Sequence, residues 1–290
     1  MTEPPEPLPG HDRRARLLGD RGFLVSTAST IVFFGVLAVI VISAPGFESV
    51  RESFFNFEAM KESFLGVPEE GLPGIGHSLL LNIQVFLMAE VLILILALVV
   101  AVIRGLPGPV FFPLRLIAVV YTDVFRGTPL LLVIYLFGFG LPALGIRGLS
   151  NHSEVVYATA ALVLSYSAYV AEVYRAGIES VHPSQIAAAR SLGLSRFQSL
   201  RYVVLPQAVR RVIPPLLNDF VSLQKDTALL AVLGVVEAAR AAQIYSAYRF
   251  NYSSFVVAAF LFILMTIPLA RLTDWLVERD RRRRQAGATT

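Results

Sequence analysis

The stretch from Leu205 to Val236, long enough for a membrane span, carries Asn218, Asp219, Ser222, Lys225 and Asp226 in its interior. On an ideal helix turning about 100° per residue, the five fall within an arc of about 120°, while Leu216, Leu217, Val221 and Leu223 lie outside it. So narrow a polar stripe must face protein or water, because a charge in hydrocarbon is costly. One reading is structural: Lys225 pairs with the aspartates and locks helices together. The other is a pathway lining, since a carboxylate beside an ammonium suits a solute that carries both charges, as an amino acid does. Pro214 and Pro215 in the same stretch remove backbone donors and are expected to kink it.

Glu90 and Glu172 lie in two further apolar runs. Ser165, Tyr169 and Glu172 share a helix face, and Glu172 precedes Arg175 by three residues, which predicts an intrahelical ion pair. Glu90 has no evident partner and joins the candidate pathway, which then comprises Asn218, Asp219, Ser222, Lys225, Asp226, Thr227 and Glu90. The chain has no Cys, and its four His (His11, His77, His152 and His182) show no helical ligand spacing, so no metal site or cofactor is expected. A phosphate-binding loop needs Gly-Lys-Ser/Thr, but the only lysines, Lys61 and Lys225, are followed by Glu62 and Asp226. No catalytic residues are expected, and energy for any work must come from a partner protein or an ion gradient.

The elements that carry these residues follow from composition. Of 290 residues, 55% are hydrophobic and 16% charged, against roughly 25% charged in an average soluble domain. With a mean hydropathy of +0.65, this describes a polytopic membrane protein and nearly excludes a soluble enzyme. Residues 1–21 are Pro-rich and charged and read as a disordered cytoplasmic tail. The apolar run over 22–45 is too long for a signal-peptide core of about 7–15 residues and is expected to be a retained transmembrane helix. Residues 46–75 form a polar, Glu-rich excursion whose middle has helical spacing.

Further spans are expected at about 76–103, interrupted only by Glu90, and at 128–144, 155–178, 205–236 and 251–275. An interfacial elbow helix fills the Pro-broken stretch before Thr128, and a basic tail closes the chain at 281–290. With the amino terminus inside, nineteen of the 25 basic residues fall on the cytoplasmic side and five outside. That bias sets both termini in the cytoplasm, and it assigns the positive charge to the membrane surface, with no nucleic acid as partner.

The polar segment 183–206, PSQIAAARSLGLSRFQSLRYVVLP, has an apolar stripe of Ile186, Ala189, Phe197 and Leu200, and Gly193 invites a break between two short helices. Periodicity leaves open whether it rests on anionic lipid or docks on a protein. The stretch AAARSLGLSRFQSLRYVVLPQAVRRVIPPLLN, followed by a Leu-Pro pair within it, resembles the cytoplasmic signature loop of the membrane-spanning permease subunits of ABC importers. YTDVFRGTPLLL (121–132), SYSAYVAEVYRAGIESV (165–181) and QKDTALLAVLGVVE (224–237) are similar to the permeases for polar amino acids of the histidine, glutamate and glutamine type. The resemblance covers about residues 76–280.

It implies an all-α membrane protein of six transmembrane helices, a five-helix type I importer permease core at 76–280 plus one extra amino-terminal helix. It implies a coupling loop at 183–204, with Gln185, Ala187, Ala188, Ala189, Gly193, Leu194, Leu205 and Pro206 toward a cytoplasmic ATPase. Arg126, Gly127, Thr128 and Pro129 take the elbow and gating position. The implied partners are two copies of an ATP-binding subunit, a second permease subunit, an extracytoplasmic solute-binding protein and the lipid of a bacterial inner membrane. The sequence departs from the family pattern at Ala187, where a glutamate is usual, at Ser184 for Gly, and at Val133 for Gln. The lost glutamate points to a heterodimer whose other permease keeps the loop intact. The alternative function is an ion-coupled secondary transporter using Glu90, Lys225 and Asp226.

Overall fold

The structure is a computed structural model and describes residues 20–287. The expected amino-terminal tail lies almost wholly outside the described residues, as do the last three residues of the basic tail. Two compact units divide at Phe55 and Asn56.

The first unit contains α1 (Asp20–Ile42) and α2 (Phe47–Phe54). From Phe23 to Ile42 the mean hydropathy is 2.5 and every side chain is exposed. A helix apolar on all sides belongs in hydrocarbon. Its few hydroxyls are satisfied locally, with Ser29 and Thr30 donating to the Ser26 carbonyl at 2.9 and 2.7 Å, the back-bonding that lets Ser and Thr sit in such helices.

The second unit opens with α3 (Phe57–Leu65), capped by Asn56, whose Oδ1 accepts from the Ala59 amide at 3.0 Å. The helical pattern expected through 46–75 therefore breaks at Phe55–Asn56, and its second half belongs to the permease body. A turn through Gly66 leads to α4 (Ile75–Gly105), whose 31 residues and mean hydropathy of 3.1 exceed what a bilayer crossing requires. α5 (Phe112–Gly127) meets α6 (Leu130–Tyr135) at a bend of 109°, and α6 continues through a π turn, Leu136–Gly140, to Ala143. Pro129 accounts for the break, since it biases Thr128 away from helical geometry, and Thr128 is extended.

α7 (Glu154–Glu179) is the axis of the unit, with α4, α5, α6 and α10 (Leu205–Asp226) packed around it. Its buried faces use small residues, among them Ala158, Ala161, Ser165, Ala168 and Ala171, which let helices approach closely where lipid offers no hydrophobic drive between them. At Gly177 a Cβ would meet Val212 Cγ1 of α10 at 2.2 Å. The core around the axis includes Val85, Phe86, Ile93, Ile134, Leu162 and Leu223.

Two short helices, α8 (Pro183–Ser191) and α9 (Arg196–Ser199), follow, and a π turn at Leu200–Val204 joins α9 to α10. The break between them falls at Gly193, whose φ of +84° only glycine adopts readily. After Asp226 the helix tightens into a 3₁₀ segment, Thr227–Leu233, and bends by 47° into α11 (Ala238–Arg249). The expected span 205–236 thus changes character at Thr227. α12 (Ser253–Gly287) closes the described chain and carries an exposed apolar face of Phe260, Ile263, Leu264 and Ile267. Among the described residues four helices are long and apolar enough to cross a membrane, and the two bent pairs bring the spans to six if each is one crossing.

Outside the core, α3 is fastened to the far ends of α11 and α12. Tyr245 donates to Glu62 at 2.9 Å, Arg249 pairs with Glu70 at 3.1 Å, and the Asn56 amide donates to Ser253 Oγ at 3.0 Å. Gly177→Leu is expected to push α7 off α10 and cost about 1–3 kcal/mol or more, by overpacking. A fall in the thermal unfolding midpoint of the purified protein, with Gly105→Leu (open space around a Cβ) as the tolerated control, checks this.

Candidate functional site

The polar stripe lies on α10, and the structure grades it. Asn218 and Lys225 are exposed on the surface of the chain, whereas Asp219, Ser222 and Asp226 are half-buried. Asp226 accepts a hydrogen bond from Tyr166 of α7 at 2.6 Å. Asp219 stands within electrostatic range of Glu90 of α4, and beside them Phe220, next to Asp219, packs on Phe86, one turn before Glu90, with ring centroids 4.6 Å apart. Lys225 has no carboxylate within ion-pair distance among the described residues. Lys225 and the aspartates form no ion pair with one another among the described residues, so the structural reading draws no support within this chain. Among those residues the arrangement offers an exposed ammonium beside half-buried carboxylates along a single face.

Thr227 belongs to a different site. It is fully buried, together with Asn82, Gln224 and Glu237. Asn82 Nδ2 donates to Thr227 Oγ1 at 3.1 Å and to Glu237 Oε2 at 2.9 Å, and its Oδ1 accepts from the Ala238 amide at 3.1 Å. Glu237 also caps α11, accepting from the Ala239 and Arg240 amides at 2.9 and 2.8 Å. Thr227 Oγ1 donates to the Gln224 carbonyl at 2.8 Å, and Thr266 of α12 donates to Gln224 Oε1 at 2.6 Å. This chain of polar groups joins four elements, because buried donors and acceptors in a bilayer must find protein partners. Sequence reading overlooked it by counting only charges within the spans: an amide at Asn82, unable to reach water, was itself a signal.

Glu172 forms the predicted ion pair with Arg175, and more. Arg104 of α4 reaches it at 2.9 Å and Arg126 of α5 at 3.8 Å. Arg104 also donates to Thr122 of α5 at 3.2 Å, and Tyr169 donates to the Arg126 carbonyl at 3.0 Å. One carboxylate thus gathers three guanidinium groups and holds the ends of α4, α5 and α7 together. Of the elbow residues, Arg126 takes part in this lock, while Gly127, Thr128 and Pro129 form the bend beside it.

In the loop, Ala189 is buried, whereas Gln185, Ala187, Ala188 and Gly193 are exposed and Leu194 is half-buried. Leu205 and Pro206 open α10 at the surface. The capping box at Ser195 and Gln198 fixes the start of α9, so the exposed side of the loop is presented on an ordered frame.

The family described as binding-protein-dependent transport system inner membrane component matches residues 94–282. The chain belongs to this family, the membrane-spanning permease subunits of ABC importers. Among its relatives, the probable glutamine ABC transporter permease protein GlnM of Bacillus subtilis (strain 168) is 36% identical over 186 residues, 64% of this chain and 83% of the relative. The probable glutamine ABC transporter permease protein GlnP of the same strain is 33% identical over 213 residues, 71% of this chain and 94% of the relative. A crystal structure of an amino acid ABC transporter with histidines superposes with a TM-score of 0.65 at 31% identity, covering 71% of this chain and 93% of that one. The expected all-α permease fold, with an added amino-terminal helix, is thereby shown.

The Glu172 lock makes a prediction. Glu172→Ala leaves three cations facing one another, and removal of one partner from a part-buried network is costly. The substitution is expected to destabilise more than Arg104→Ala, with the pair non-additive by about 1 kcal/mol or more. A double-mutant cycle on thermal unfolding of the purified protein checks it.

Proposed function

We propose that this chain is the permease subunit of an ATP-driven importer of polar amino acids, with the glutamate and glutamine class favoured. The observation that carries the reading is the α10 stripe: Lys225 and Asn218 are exposed in the second half of a helix that belongs to a candidate bent span, with Asp219, Ser222 and Asp226 beside them. An ammonium cannot be left facing lipid. It needs either a second permease subunit across the stripe or a water-filled path between the two subunits, and an importer has both. An amino acid solute would then present its carboxylate to Lys225 and its ammonium to the carboxylates of Asp219, Asp226 and Glu90. The relatives named for glutamine support the solute class.

Two copies of a cytoplasmic ATP-binding subunit would engage the exposed side of the 184–200 loop. Their closure on ATP would pass through Gly193 and Leu194 to α10, which follows the loop without a break, and would tilt the stripe between outward and inward exposure. An extracytoplasmic solute-binding protein would deliver the amino acid to the opposite face. The arginine bias supports a bacterial inner-membrane location with both termini in the cytoplasm. Ala187, exposed where the family usually has glutamate, favours a heterodimer with a permease that keeps the intact loop. The ion-coupled alternative draws no support from the similarities.

The test is reconstitution of the complex with its ATPase and binding protein, followed by ligand-stimulated ATP hydrolysis across a panel of glutamate, glutamine, arginine and histidine. Lys225→Met and Asp226→Asn are each expected to lower uptake by about tenfold or more, as loss of one charge-assisted contact does, with subunit stoichiometry unchanged. Uptake by the purified chain alone under an ion gradient, without ATP, overturns the reading. Gly193→Glu with Leu194→Arg is expected to release the ATPase on co-purification. Full transport with this chain as the sole permease overturns the heterodimer.

A further inference from the structure

At the arginine-rich end of the bundle, a cavity of about 570 Å³ opens between the ends of α4 and α7 and the loop that follows them. Its walls are largely apolar, with Ile178, Phe197 and Leu200 prominent, and Gly105 and Pro107 mark where α4 leaves the span. Arg190 and Arg196 also line it. Both are exposed, neither has an ion-pair partner among the described residues, and no acidic side chain lines the cavity.

A second observation is independent of the charges. Ser199 lines the same cavity and is only 2% exposed, yet its Oγ has no hydrogen-bond partner among the described residues. A buried hydroxyl left unpaired is costly and calls for an acceptor.

We infer that this cavity binds the headgroup of an anionic phospholipid. The phosphate would accept from Ser199 Oγ and take the charges of Arg190 and Arg196, as arginine forks do for phosphate. The acyl chains would run along Ile178 and Leu200 into the hydrocarbon beside α7. A free phosphate or a soluble nucleotide would use the cations and the hydroxyl but would leave the apolar walls in water. The position at the ends of two spans, where an anionic leaflet meets arginine, selects the lipid. A lipid seated there would lie beneath the loop of α8 and α9 and brace it against the body.

The assembled transporter, purified in mild detergent from membranes containing phosphatidylglycerol and phosphatidylcholine, tests this by native mass spectrometry of bound lipid. Retained phosphatidylglycerol in preference to phosphatidylcholine is expected, and the Arg190→Gln, Arg196→Gln double variant should retain it about tenfold less or worse, on the scale of two basic residues at an anionic surface. The Arg190→Lys, Arg196→Lys pair should retain it partly, and Ser199→Ala should weaken it in an otherwise intact complex. Unchanged retention in the glutamine double variant overturns the inference. So does equal retention of phosphatidylcholine, or displacement of the lipid by millimolar inorganic phosphate, which would make the site one for a free anion. Should the double variant fail to assemble, Ser199→Ala alone decides, and unchanged retention there also overturns it. Lipid retention is read without transport, so its failure is distinct from a failure of the importer reading.

Discussion

The side chain of Asn82 makes three hydrogen bonds inside α4, both N–H groups donating and the oxygen accepting, and much of the molecule is arranged around that fact. Its amide nitrogen serves Thr227 and Glu237, and its oxygen serves the Ala238 amide. These contacts fall on the two sides of the 47° bend between α10 and α11. A bend in a bilayer frees backbone groups that no water can satisfy, so the chain tolerates irregular geometry only where protein closes around it. Asn82 and the Glu237 cap supply that closure. With the far end of α10 fixed in this way, the stripe of Asn218, Asp219, Ser222, Lys225 and Asp226 keeps a defined direction.

The opposite end of the bundle is held by different chemistry. There the carboxylate of Glu172 gathers Arg104, Arg126 and Arg175 where the helices leave the apolar region. Asn82, Thr227 and the Glu237 carboxyl hold the bend and a cluster of arginines around Glu172 holds the other end, and between them the contacts around α7 are made chiefly by small and apolar side chains. The guanidinium groups concentrate where the helices end, and the buried bend is closed by hydrogen bonds from amides and a hydroxyl.

Much of this was legible in the sequence. Hydropathy located the four long apolar helices among the described residues, Pro129 marked the turn between α5 and α6, and Gly193 marked the break in the loop. That the polar residues of α10 share one face was legible too, because the period is local. Glu172 announced Arg175 through their spacing, but Arg104 and Arg126 come from other helices, and no local pattern connects them to it. Thr227 illustrates the limit most clearly. It sits next to Asp226 in sequence, yet one further step of about 100° already carries it off the stripe. What it meets there depends on Asn82, 145 residues distant. The excursion at 46–75 divides at Phe55 and Asn56 for a similar reason: Asn56 caps α3 and meets Ser253, a contact from the other end of the chain.

The π turn at Leu200–Val204 has a mechanical meaning of its own. Such a turn accommodates one more residue than regular helix would, and here it lies between the exposed loop and α10. Length and phase are therefore set separately. The loop can stand at a given height below the bundle while the stripe points in a direction that an uninterrupted helix of the same rise would miss by about 100°.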